Sequence, residues 1–161
     1  MTKKILSLPK KHPLVTAAVS GVVSALPYVF PQTFFLSYFS FVPFVFVSLF
    51  CLGSVRKSIG AGFFFGIAYY LVAYSFFLSL YPITAMEMPN GIQLLVAVFA
   101  YLVSSLLHGL VFVLVPLSVY LSERWVSKKK ALSAFLFITA CILAEKAAAY
   151  TELAFPWTRQ A

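Results

Sequence analysis

Residues 131–157 read ALSAFLFITACILAEKAAAYTELAFPW, and how this stretch is read decides the fold. Fourteen apolar or small residues, 131–144, lead into the pair Glu145-Lys146 and then into Phe155-Pro156-Trp157. Each charge of such a pair costs roughly 2.5–3.5 kcal/mol at a bilayer centre, so an ionisable pair closing so apolar a run is expected to be paired, close to an interface, or functional. The rest of the chain reads as a scaffold that holds this segment in a membrane.

Composition agrees. Hydrophobic residues make up 62% of the 161 and charged ones 10%, which is not the balance of a soluble core wrapped in a polar surface. Besides 131–149, the segments 14–26, 34–52, 59–80 and 92–121 are apolar and about long enough to span a hydrocarbon core of about 30 Å as helices. The expectation is an all-α membrane protein, a bundle of about five transmembrane helices forming a single integral-membrane domain. Continuous apolar runs without alternating polar residues exclude a β-barrel. The net charge of +8 would suggest nucleic acid in a soluble protein, but the cations here fall in short blocks between apolar segments and read as topology signals, so no nucleic-acid partner is expected. Cys51 and Cys141 sit inside apolar runs without metal-ligand spacing and read as small buried hydrophobes. No cofactor or metal is expected.

Along the chain, Lys3, Lys4, Lys10 and Lys11 precede the first apolar segment and imitate a signal peptide. No clear small-x-small site follows Leu26, however, and Ala17, Gly21 and Ala25 recur every fourth residue as a smooth packing face, so the segment is read as retained. Pro27 and Pro31 predict a tight turn over 26–33, and Pro43 a kink within the second span. Residues 53–58 read as a basic loop carrying Arg56 and Lys57, and Gly62-x-x-x-Gly66 in the third span invites close backbone approach. Residues 81–91, with Pro82, Glu87 and Pro89, read as a polar loop without cations. The fourth span is long enough to require tilt, protrusion or a kink at Pro116. Residues 122–130 form a second basic loop with Arg124, Lys128, Lys129 and Lys130, and Trp125 suits an interfacial anchor. These three basic blocks hold ten of the twelve Lys and Arg, and five spans put all three on one side. The positive-inside rule makes that side cytoplasmic, leaving the N-terminus inside and the C-terminus outside.

Glu145, His108 and the run Phe155-Pro156-Trp157 stand out as possible functional or packing residues. His108 shares a helix face with Ser104 and Tyr101, which suits a proton relay or headgroup contact, or more plainly a neutral imidazole bonded within the bundle. Glu145 is the stronger candidate. Its carboxyl group is expected to hydrogen-bond a group on another helix near the outer interface, while Lys146, about 100° around the helix, snorkels outward. Phosphate loops, zinc-ligand clusters and the motifs GxSxG and HExxH are absent, so no catalytic residue is assigned.

The order of features carries more than any one of them. The Pro27–Pro31 turn, Pro43, Arg56-Lys57, Gly62-x-x-x-Gly66 followed by Tyr69 and Tyr70, the Pro89 loop, and Glu145 ten residues before Phe155-Pro156-Trp157 together resemble the N-terminal membrane region of the bacterial apolipoprotein N-acyltransferases. The resemblance spans residues 14–157. It implies an enzyme of the bacterial cytoplasmic membrane that moves an acyl chain from a phospholipid to the N-terminal diacylglyceryl-cysteine of a lipoprotein, using a Glu-Lys-Cys triad in an extracytoplasmic nitrilase-like domain. That domain is not in this sequence, and neither Cys51 nor Cys141 corresponds to its nucleophile. The expectation is therefore a membrane-embedded portion, truncated or split and inactive alone. Its implied partners are membrane phospholipids and a separate nitrilase-like chain or lipoprotein. A stand-alone scaffold that binds lipid or a partner helix in an inter-helix groove is the competing expectation.

Overall fold

The computed structural model describes residues 8–79, 81–82, 89–126 and 130–150, all helix, turn and connection without a strand. Lys3, Lys4, Glu87, Lys128, Lys129 and Phe155-Pro156-Trp157 lie outside the described residues. A short α1 (Leu8–Lys11) precedes α2 (Pro13–Val29), a 3-10 helix (Pro31–Tyr38) and α3 (Val42–Phe50). Then come α4 (Val55–Ala73), α5 (Phe76–Ser79), α6 (Asn90–Val111), α7 (Leu114–Trp125) and α8 (Lys130–Tyr150).

Proline position decides several boundaries differently from the expectation. Pro27 does not turn the chain: it lies inside α2, and the residues after it keep their helical bonds. The helix continues to Val29, and Phe30 N–H donates to Leu26 O at 2.8 Å. The break comes at Phe30, which precedes Pro31 and takes φ −126° and ψ 87°, as pre-proline residues do. Pro43 lies in the first turn of α3, where its missing N–H had no helical partner anyway, so it starts a nine-residue helix instead of kinking a longer one. The segment 34–52 is thus a 3-10 helix followed by a short α-helix. Arg56 and Lys57 lie in the first turn of α4, whose N-cap Ser54 Oγ accepts from Lys57 N–H, and not in a loop.

The fourth segment breaks at Phe112–Val113, not at Pro116 itself. The proline ring crowds the carbonyl four residues back, at Phe112, and there the chain tightens into i to i−3 bonds, Val113 N–H to Leu110 O at 3.1 Å and Val115 N–H to Phe112 O at 3.2 Å. Helix α7 then runs on to Trp125, through part of the expected basic loop.

Small residues set the packing, as expected. A Cβ on Gly21 would strike the backbone of Phe65, on Gly66 that of Gly109, and on Gly62 that of Phe112 and Val113. Helix α4 is therefore gripped on two sides, by α2 and by the α6–α7 junction, at near-backbone contact. Ala17 and Ala25 are fully buried on the same face of α2 as Gly21.

These contacts also fix direction. Gly60 meets Leu14 while Gly21 meets Phe65 and Tyr69, so α2 and α4 run parallel. Gly62 meets Phe112 while Gly66 meets Gly109, so α6 runs antiparallel to α4. The pass between α2 and α4 descends through α3, where Phe44 stacks on Phe65 at 3.9 Å and touches Phe137 of α8 at 5.6 Å. Two stretches, Val55–Ser79 (25 residues) and Asn90–Trp125 (36 residues), are long and apolar enough to cross a membrane. Helix α2 is apolar but has 17 residues, and α8 carries Lys130, Glu145 and Lys146 within its length.

Small polar side chains share the interior with the apolar core, and large apolar ones crowd the surface. Ser20, Ser24, Ser48, Ser58, Ser105 and His108 are buried, whereas Phe99 is 70% exposed, Leu95 70% and Phe135 65%. Exposed apolar side chains of this size, in number, mark a surface built for contact with something other than water.

Candidate functional site, a groove beside Glu145

An aromatic column runs through the bundle: Phe137, Phe44, Phe65, Phe112, Tyr69 and Tyr70, continuing to Tyr74 and Phe77. Tyr69 and Tyr28 meet edge to face, and the Tyr69 hydroxyl donates to the Tyr28 hydroxyl at 2.9 Å, joining α4 to the end of α2. On the side of α3 and α8 this column leaves an open groove of about 400 Å³ lined by Phe41, Val45, Ala134, Phe137, Ile138, Cys141, Ile142 and Glu145.

Glu145 closes this groove at one end. It is exposed, and no described residue gives its carboxylate a hydrogen bond or an ion pair, so the expected interhelical bond is not formed among the described residues. It lines the groove together with Cys141, one turn earlier on α8, and with Phe137, the member of the column that α8 supplies. Lys146 is exposed and also unpaired among the described residues, consistent with side chains about 100° apart. Cys141, one helical turn before Glu145, is half-buried in the groove wall, and Cys51 is half-buried at the end of α3; both are free thiols.

His108 lies elsewhere, 3% exposed between Tyr70 and Tyr74, with ring centroids 5.3 and 5.4 Å away. Its Nδ1 lies 2.9 Å from Ser104 O, and since a carbonyl only accepts, the Nδ1 proton is donated there. Tyr101, expected on the same stripe, instead bridges helices: its hydroxyl donates to Leu71 O at 2.7 Å. That carbonyl is free because Ser75 N–H turns to Val72 O at 3.2 Å where α4 breaks. Ser105, not singled out in the sequence, bonds Tyr101 O at 2.7 Å and reaches Tyr70 O at 3.3 Å. Its spacing to Gly109, small-x-x-x-small, was the signal that marks the α6 contact face. The stripe therefore seals one helix seam and does not line the groove.

A second polar cluster has no precursor in the sequence reading. Lys130 Nζ contacts Glu123 Oε1 at 2.6 Å, donates to Leu49 O at 2.5 Å and lies 5.0 Å from the centre of the Phe50 ring. Ser133 Oγ donates to the same Glu123 oxygen at 3.0 Å. One ammonium thus ties the C-terminus of α3, the end of α7 and the start of α8, using a carbonyl that a helix C-terminus leaves unpaired.

Among the described residues no group of three His, Cys, Asp or Glu side chains is placed to hold a metal ion. No known protein family, curated protein or solved structure matches the chain.

Proposed function

We propose that this chain is an integral protein of the bacterial cytoplasmic membrane that crosses it five times, N-terminus inside, and forms the membrane-embedded, non-catalytic portion of an apolipoprotein N-acyltransferase-like protein. The observation that carries the membrane reading is the exposed apolar surface, with Phe99, Leu95 and Phe135 outside, on a chain with two helices long and apolar enough to cross a bilayer. The reversal of direction from α2 through α3, α4, α6 and α8 supports five passes. The shorter passes need neighbours and interfacial anchors to reach across, at a modest cost per ångström of mismatch. The acyltransferase part is supported by the order of features in residues 14–157, from Pro27 to Phe155-Pro156-Trp157.

In this role the chain holds a lipid-facing groove and performs no covalent step. This reading gives neither thiol a covalent role: Cys141 lies in the groove wall one turn from Glu145, and Cys51 packs against the core. The purified chain in phospholipid vesicles is expected to transfer no acyl group to a diacylglyceryl-cysteine peptide. Transfer that Cys51→Ala or Cys141→Ala abolishes would overturn this reading.

One observation favours a second reading, a stand-alone protein that binds lipid or a partner helix. The groove is apolar along its length and ends at a carboxylate with no partner among the described residues, a form that accepts a chain or helix ending in a cation. Co-purification with a nitrilase-like chain favours the first reading, and retention of a helix or lipid without such a partner favours the second.

A further inference from the structure

Resting on the membrane reading above, we infer that the end of the bundle where α4 begins is a binding surface for the phosphodiester headgroups of anionic phospholipids. The packing brings together cations far apart in sequence. Because α2 and α4 run parallel, with Leu14 against Gly60, the Lys10-Lys11 pair just before α2 comes to the same end as Arg56 and Lys57 of α4. The short helix α1 that carries Lys10 and Lys11 also packs against α3. The α6–α7 pass runs opposite to α4 and so delivers Arg124 there, and Lys130, bonded to Leu49 O, begins α8 at the same level.

The balance at this end is six cations against one described carboxylate, Glu123, which Lys130 and Ser133 already engage. Lys10, Lys11, Arg56 and Lys57 are exposed and form no ion pair with a described residue, and Arg124 only donates to Tyr120 Oη of its own helix at 3.2 Å. Arg56 and Lys57 moreover occupy the first turn of α4, the positive end of its dipole, where a cation is unfavourable unless an anion sits beside it. The fold thus concentrates positive charge and leaves its neutralisation to something outside the described chain.

Trp125, 79% exposed, and Val126, 74% exposed, select the anion's source. They stand directly after Arg124, and an indole beside guanidinium and ammonium groups suits the headgroup level of a bilayer, where the ring's apolar body and its N–H are both accommodated. A free phosphate or an RNA backbone would leave this apolar pair in water. Clusters of cations beside membrane helices are attracted to anionic leaflets and gain roughly fivefold in affinity per cation.

The test compares lipids on the full chain purified in neutral detergent, after alkaline carbonate washing has shown that it stays in the membrane. Release by carbonate would refute the membrane reading itself. With an integral chain, phosphatidylglycerol retained at least tenfold over phosphatidylcholine, with the preference falling as salt rises, supports the proposal. In Arg56→Gln/Lys57→Gln the preference should drop about 25-fold or vanish, two cations being removed, and in Lys10→Gln/Lys11→Gln similarly, while Lys146→Gln at the far end leaves it unchanged. Circular dichroism of each variant confirms the helices. Equal retention of the two lipids, an undiminished preference in both double variants, or displacement of the lipid by inorganic phosphate or a short RNA at millimolar concentration would overturn the proposal.

Discussion

The two ends of α8 are built on opposite principles. At its start Lys130 is held by Glu123 at 2.6 Å and by Leu49 O at 2.5 Å, and Ser133 engages the same carboxylate. Four turns further on, Glu145 stands at one end of an apolar groove with no described partner. A charge that serves assembly is paired, because leaving one partner alone costs more than the pair gains. By that standard Lys130 is structural, and Glu145 is a group whose position is better explained by what it meets than by what it holds together.

Substitutions at the two ends should therefore separate stability from binding, and the helix seam between them gives the upper bound. Gly66→Val places side-chain atoms into the backbone of Gly109 and is expected to destabilise by about 3 kcal/mol or to prevent the fold, since backbone cannot move aside as a side-chain tip can. Thermal unfolding in detergent measures it, and an unchanged midpoint would mean that α4 and α6 do not pack as described.

Lys130→Ala comes next. It removes a charged bond and leaves Glu123 with Ser133 alone, so a loss of about 1–2 kcal/mol is expected, lowered from a buried pair's value because both side chains are partly exposed. The double variant Lys130→Ala/Glu123→Ala should be less destabilised than the sum of the singles. Strict additivity would show that the pair does not couple α7 to α8.

Tyr101→Phe deletes the bond to Leu71 O and should cost about 0.6 kcal/mol, the scale of interhelical bonds in membranes. The smallest effect is expected at the far end of α8, where Glu145→Gln and Glu145→Leu should both leave stability within about 0.5 kcal/mol. A larger loss in the Leu variant than in the Gln variant would mean that the carboxylate does have a structural partner and would erase the contrast between the ends.

What was legible in the sequence follows from what each feature depends on. Ala17, Gly21 and Ala25, like Gly62 and Gly66, announce close packing because a missing side chain acts wherever the helix goes. Prolines were harder, since their effect depends on the position within a helix whose start is not yet known. Pro43 opens α3, Pro27 is absorbed within α2, and Pro116 acts four residues upstream. The Lys130 tie could not be read at all, because Leu49 and Lys130 are 81 positions apart and only folding brings them together. His108 bonds Ser104 O of its own helix, a neighbour that the spacing shows, yet Tyr101 turns to Leu71 O, freed by a helix break that no local pattern displays, and Ser105 reaches Tyr70 O beside it.

The arrangement of both ends across a bilayer is the central claim, and site-directed labelling tests it most directly. Gly53, between α3 and α4, and Gly91, at the start of α6, are exposed, and a Cβ at either meets nothing within 4 Å, so cysteine should be tolerated at both. In a Cys51→Ala/Cys141→Ala background, a membrane-impermeant maleimide applied to intact spheroplasts is expected to label Gly91→Cys, and to label Gly53→Cys only after permeabilisation. Labelling of both positions from the same side would contradict the proposed topology, and with it the proposal that the clamped end of α8 is cytoplasmic and the Glu145 end outside.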